Sequence, residues 1–253
     1  MVPMNFLRHA IALALFAALP LAAHAEGWTA AGELGLAVTS GNAKSENLNG
    51  KLGFVNEDDE WKHTFGLGVL RAKGEVVGDF DGNGSVERSR QLTANRYDFG
   101  LSSAFKASVR TSWVATLRYE NDDFAPFESQ ATLSIGHGYQ WIESETSKLR
   151  SEIGPGYRSA KDAVTGETQA DFIVRGGVEY KRVLTANSNF YNTFLVESGS
   201  DNTFAQNDVG VAVAMNSTLA LKAGVQARHN TDVSPEIKKT DTLTTLNLVY
   251  TFK

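Results

Sequence analysis

From residue 26 onward the chain breaks into segments of about ten residues in which apolar and polar side chains alternate. A period of two places the two sets on opposite faces of a β-strand. In 242–252, Leu246, Leu248, Tyr250 and Phe252 share one face, and Thr245, Asn247, Val249 and Thr251 share the other. Around Trp113, a face of Val109, Trp113, Ala115, Leu117 and Tyr119 opposes Arg110, Ser112, Thr116 and Arg118. The segments 130–141 and 172–181 repeat the pattern. About ten residues is what a tilted strand needs to cross the hydrocarbon of a bilayer. No stretch after Ala25 approaches the apolar length of a membrane helix.

About twelve such segments follow one another, near 28–38, 46–56, 61–72, 89–101, 108–120, 128–141, 148–158, 171–182, 189–198, 203–215, 219–229 and 241–252. The connections alternate in length, except that the outer ones near 39–45, 121–127 and 199–202 are short. Lys73–Arg88, Ser159–Ala170 and Asn230–Thr240 are long, whereas Asn56–Glu60, Glu143–Ser147, Leu184–Ser188 and Asn216–Thr218 are tight. That rhythm is the short inner turn and long outer loop of an outer-membrane barrel, and a Greek-key sandwich has no reason to keep it. Trp28, Phe54, Trp61, Trp141, Tyr180, Phe190, Tyr250 and Phe252 fall near the inner ends of segments, as an interfacial aromatic girdle requires. An open sheet edge in lipid would leave N–H and C=O groups unpaired, so the sheet must close. The expected fold is all-β: a transmembrane antiparallel up-and-down β-barrel of about twelve strands, one domain over 26–253, with both termini in the periplasm.

The first twenty-five residues read as a cleavable signal peptide. Arg8 precedes an apolar run from Ala10 to Leu19, and Ala23-His24-Ala25 offers the small-x-small cleavage pattern. Export and cleavage near Ala25 place the chain at the cell outer membrane. Outer-membrane lipid, lipopolysaccharide and the barrel-assembly machinery are the expected partners. The whole chain has 24 Lys+Arg and 29 Asp+Glu, and the leader holds only Arg8, which leaves 23 against 29, or −6. A dispersed and net acidic charge argues against a nucleic-acid partner. With no Cys, disulfides and thiolate metal sites are excluded, and no cofactor is expected.

Leu133–Arg158 (LSIGHGYQWIESETSKLRSEIGPGYR), Lys238–Phe252 (KKTDTLTTLNLVYTF) and Ser40-Gly41-Asn42 after the first segment resemble the YdiY-like outer-membrane proteins, a family of unknown function described as salt-stress-induced. The resemblance covers nearly all of the mature chain. It implies an outer-membrane barrel with a link to osmotic or acid stress, and it brings no catalytic residues.

If the apolar faces meet lipid, the opposite faces line a lumen with Arg96, Asp98, Arg110, Arg118, Glu152, Arg158, Arg175, Glu179 and Arg228, joined by Glu120, Arg150, Lys181 and Lys222. Two readings follow: a narrow passive channel for small polar solutes or ions that favours anions, or a lumen plugged by its own ion pairs in a barrel that supports the envelope. Asp79, Asp81 and Asn83, with Gly84 at the turn, match the start of a calcium-binding loop, but Arg90 stands where its bidentate Glu belongs. Pro155, between Gly154 and Gly156 on the lumen face, calls for a bulge or a close approach by a neighbour's long side chain inside a strand. Asp122-Asp123 reads as a solvated turn. No hydrolase or phosphate-loop motif is present, and a non-enzymatic protein is expected. The weakest alternative is a hydrolase with His229 near Asn230 and Asp232.

Overall fold

The computed structural model describes residues 27–40, 45–79, 84–233 and 238–252. Alternation at these lengths yields twelve strands: β1 (Trp28–Ser40), β2 (Ser45–Glu57), β3 (Trp61–Gly78), β4 (Glu87–Lys106), β5 (Thr111–Asp122), β6 (Phe127–Glu143), β7 (Ser147–Asp162), β8 (Thr168–Thr185), β9 (Ser188–Ser198), β10 (Thr203–Ala214), β11 (Leu219–Asn230) and β12 (Thr240–Phe252). Each pairs antiparallel with its sequence neighbours, and β1 pairs with β12 from Ala30↔Phe252 to Ser40↔Thr242, which closes the barrel. Over the span the strands share no sheet edge is left, and ladder groups there have a partner strand on both sides. Beyond it, Lys73–Gly78 and Glu87–Leu92 pair only with each other among the described residues. The signal segment, with its cleavage site, lies outside the described residues, as do Asp81 and Asn83.

Directly paired residues share a face, so one interior contact fixes the orientation of its whole row. Glu33 of β1 reaches Lys222 of β11 inside the barrel. In that register the interior side takes Lys51, Asp98, Glu120, Thr132, Arg158, Arg175, Glu197, Gln226 and Asn247. The other side takes Leu34, Leu101, Trp113, Leu133, Ile135, Ile153, Phe172 and Leu246, all exposed on the outer wall. The eight girdle aromatics named from sequence all fall on this outer wall. They pack against one another in pairs such as Tyr180–Phe190, with ring centroids 6.1 Å apart, and Tyr250–Phe252, at 4.9 Å.

The outer connections differ from expectation. Residues 73–88 are not a loop over most of their length. After a register shift at Ala72/Lys73, β3 and β4 stay paired from Lys73↔Leu92 to Gly78↔Glu87. Residues 159–170 likewise shorten to a turn in which the Asp162 carboxylate accepts from Val164 N at 2.8 Å and Thr165 N at 2.7 Å. These extensions mix apolar and polar residues without alternation, as the adjacent Val76 and Val77 show, so they carry no period-two signal although their backbones still pair. At the inner end, the segment expected from 108 begins at Thr111, because Ser108 Oγ accepts from Arg110 N and Thr111 N and turns the chain. Val109, placed on the lipid face from sequence, is 98% exposed at the tip of that turn. Pro155 produces no register shift. Ser134↔Gly156 and His137↔Ile153 lie in one register with the ladder interrupted between them. There the two backbones approach closely: a Cβ on Gly154 would lie on the Ile135 carbonyl.

Candidate functional site

A polar interior in a barrel of this size either holds water or is filled by its own side chains. Here both occur, at different levels. Towards the outer end, side chains from opposite walls meet. Arg228 of β11 binds Glu120 and, at 3.2 Å, Asp122, both on β5. β5 and β11 are six places apart in the ring of twelve, so this contact spans the full width of the lumen. From β5, Arg118 reaches Glu197 of β9 at 3.1 Å and Glu120 at 3.4 Å. Arg96 of β4 donates to Gln226 of β11 at 3.1 Å. Both guanidiniums lie over the ring of Phe204, with Arg118 Cζ 4.8 Å and Arg228 Cζ 5.2 Å from its centroid. Phe204 and Glu197 are fully buried.

The cork continues sideways. Arg175 binds Glu152 and lies 3.8 Å from Glu197. Buried Arg158 donates to Asp171 at 3.2 Å, to the Glu197 carbonyl and to the Asn202 carbonyl at 2.8 Å. Asn202 in turn donates to Asn230 and accepts from Thr231 N and Asp232 N, which ties the β9–β10 turn over the lumen. Leu70, Ala72, Ala94 and Leu243 add a buried apolar cluster on the β3, β4 and β12 side. Such charges are stable in a confined interior only when fully paired. Alternating signs on neighbouring walls meet most of that requirement, although the buried Arg228 Nε has no hydrogen-bond partner among the described residues.

Towards the inner end the lumen is roomy. A cavity of about 650 Å³ is lined by Glu33, Lys51, Lys181, Tyr191, Asp208, Lys222 and Asn247. A second, of about 600 Å³, is lined by Lys62, Lys106, Arg110, Arg150, Glu179 and Lys181 at the mouth. A third, of about 380 Å³, lies between Lys51, Arg96, Asp98, Arg118 and Glu120, beneath the cork. Gly53 and Gly100 border this third space, and a Cβ on either would meet nothing within 4 Å. Lys222 is held by Glu33 at 2.7 Å and stands 4.7 Å from the Tyr191 ring centroid.

The nine lumen candidates therefore occupy two places. Arg96, Arg118, Glu152, Arg158, Arg175 and Arg228 belong to the cork, and Asp98 lies 4.0 Å from Arg96 beside it. Arg110 and Glu179 line the inner mouth, Arg110 from a turn rather than a strand. Asp122 is a correction: its carboxylate is inside the barrel on Arg228 and is not a solvated turn group. Sequence reasoning missed Glu197, Asp171 and Phe204. Alternation with Val196 and Phe172 signals the first two. Phe204 carries no such signal, since an aromatic on an interior row looks like an outward one. The loop carboxylate of Asp79 accepts from Gly84 N at 2.8 Å, and its companions Asp81 and Asn83 lie outside the described residues.

Among the described residues His229 forms no site with Asn230 and Asp232. His63 bonds Ser103 and stacks on Trp61, His137 meets the edge of Trp113, and His229 bonds Thr240, all on the outer wall. Asn230, one residue on, faces the other way, to Asn202.

A family model described as a protein of unknown function, DUF481, matches residues 32–252. No curated protein matches the chain. Among solved structures, the NanC porin is similar in fold, with a TM-score of 0.56 and 8% identity, covering 87% of this chain and 98% of its own. The translocator domain of the autotransporter NalP from Neisseria meningitidis gives a TM-score of 0.52 and 11% identity, covering 97% of this chain and 96% of its own.

Proposed function

The chain belongs to the DUF481 family, a family of unknown function, and we propose that it is a narrow passive outer-membrane channel for small polar solutes or ions, closed at rest by its guanidinium–carboxylate cork. One observation carries this reading. Charged cavities of about 650, 600 and 380 Å³ run along the lumen and end at a barrier whose cross-lumen contacts are side-chain contacts. Side chains change rotamer far faster than a packed segment leaves a barrel. Basic side chains outnumber acidic ones along the two inner cavities, which favours anions. Export with cleavage near Ala25, contact with lipopolysaccharide and the stress link of YdiY-like proteins belong to the same proposal.

Purified barrel in planar bilayers, with insertion verified, tests it. Discrete conductance steps with an anion-selective reversal potential are expected. A silent membrane at every voltage, for wild type and for cork variants alike, leaves the second reading, a permanently plugged barrel that supports the envelope. That reading draws on the complete burial of Glu197 and Phe204.

A further inference from the structure

The outer wall is uneven around its circumference. β10 and β11 carry no Phe, Tyr or Trp on their outward rows, while each of the other ten strands carries at least one. An aromatic belt marks where strands meet lipid headgroups. A sector of two adjacent strands without it is a sector that need not meet them. The outward rows there also step down to Ala205, Ala223 and Ala227, and small residues let membrane-embedded surfaces approach closely.

The second observation is polar. Asn192 of β9 and Asn207 of β10 both face outward, at mid-strand positions, beside this bare sector. Asn192 Nδ2 donates to Asn207 Oδ1 at 3.0 Å. That bond leaves an acceptor, Asn192 Oδ1, and a donor, Asn207 Nδ2, without side-chain partners, and hydrocarbon offers none. The leftover groups are complementary to each other. Across a two-fold axis, the free acceptor of one copy faces the free donor of the next, twice over.

We propose that the β9–β11 outer wall is the contact surface for a second copy of this chain, with the Asn192–Asn207 pair at the two-fold axis. This rests on the outer wall meeting lipid and is independent of whether the lumen conducts. Polar amides in a membrane interface both hold and register the partners.

The chain has no Cys, so single-cysteine variants report contact cleanly. Val209→Cys lies outward on β10 beside Asn192, and Leu117→Cys lies outward on β5, across the ring from β11. Mild oxidation in native outer membranes should link V209C into a dimer and leave L117C as monomer. In V209C carrying Asn207→Leu as well, the dimer fraction at equal protein should fall, with association weakened roughly tenfold, while the barrel itself becomes harder to unfold. Single-copy mass in nanodiscs, equal linking of V209C and L117C, or an N207L dimer as strong as the parent would overturn the proposal.

Discussion

Arg228→Ala removes the side chain that joins opposite walls. In the native barrel Arg228 binds Glu120 and Asp122 and lies 5.2 Å from the Phe204 ring centroid. Breaking a buried pair from one side costs about 3–5 kcal/mol. Glu120 keeps Arg118 at 3.4 Å, which places the loss near the lower end, about 3 kcal/mol. If these pairs hold the closed state, the closed-to-open ratio falls by a factor of about 10². Arg228→Met loses the same pairs while filling most of the same space, so it separates lost charge from lost volume. Single-channel recording should therefore show both R228A and R228M open far more often than wild type. Urea unfolding should show both variants destabilised by similar amounts. Equal conductance in R228A and wild type, with verified insertion and the expected stability loss, would refute the view that this contact closes the lumen.

Further outcomes follow from other parts of the barrel. Gly154→Ala places a Cβ on the Ile135 carbonyl and should cost about 3 kcal/mol in urea unfolding, whereas Gly100→Ala points into open lumen and should stay within about 0.5 kcal/mol of wild type. In the β2–β3 turn, Asp58 accepts from Trp61 N at 2.7 Å and Glu60 N at 2.8 Å, and these bonds, Trp61's first, hold its carboxyl below the usual carboxylate range. A depressed folded-state value stabilises above the unfolded value of about 3.9 and loses that effect as pH falls through the folded one. Asp58→Ala should therefore lower the melting temperature at pH 7, and its gap from wild type should close below about pH 4. Calorimetry with calcium should give binding no tighter than about 10⁻⁴ M at the Asp79–Gly84 loop, since the twelfth-position carboxylate is missing; a submicromolar site would contradict that reading of Arg90.

Most of the architecture was legible because lipid imposes a period of two wherever a strand crosses it. Leu133, Ile135, Tyr139 and Trp141 against Thr132, Ser134 and Gln140 suffice to orient β6, and pairing carries that orientation to its neighbours. Beyond the lipid the constraint lapses. The paired outer stretch from Lys73 to Gly78 mixes apolar and polar residues without alternation and reads as loop. The site divides in the same way. Alternation names Arg118 and Arg228 as interior, but it cannot say that they meet Glu197 and Glu120 on distant strands, 79 and 108 residues away in sequence. Strand number, tilt and side-chain reach decide that meeting, and none of these is local. Asp122 was misread for a related reason: an Asp-Asp pair at a strand end has the composition of a turn, and only its partner across the lumen, Arg228, shows it to be interior.

Cysteine scanning along β5 in native outer membranes tests the two-faced barrel most directly. Single cysteines at 112 to 119 would be probed with a lipid-phase quencher on an attached fluorophore and with a membrane-impermeant thiol reagent. The barrel predicts strong quenching at 113, 115, 117 and 119, weak quenching at 112, 114, 116 and 118, and reversed accessibility to the aqueous reagent at 112. Quenching without a period of two would contradict a wall with lipid on one side and a polar lumen on the other.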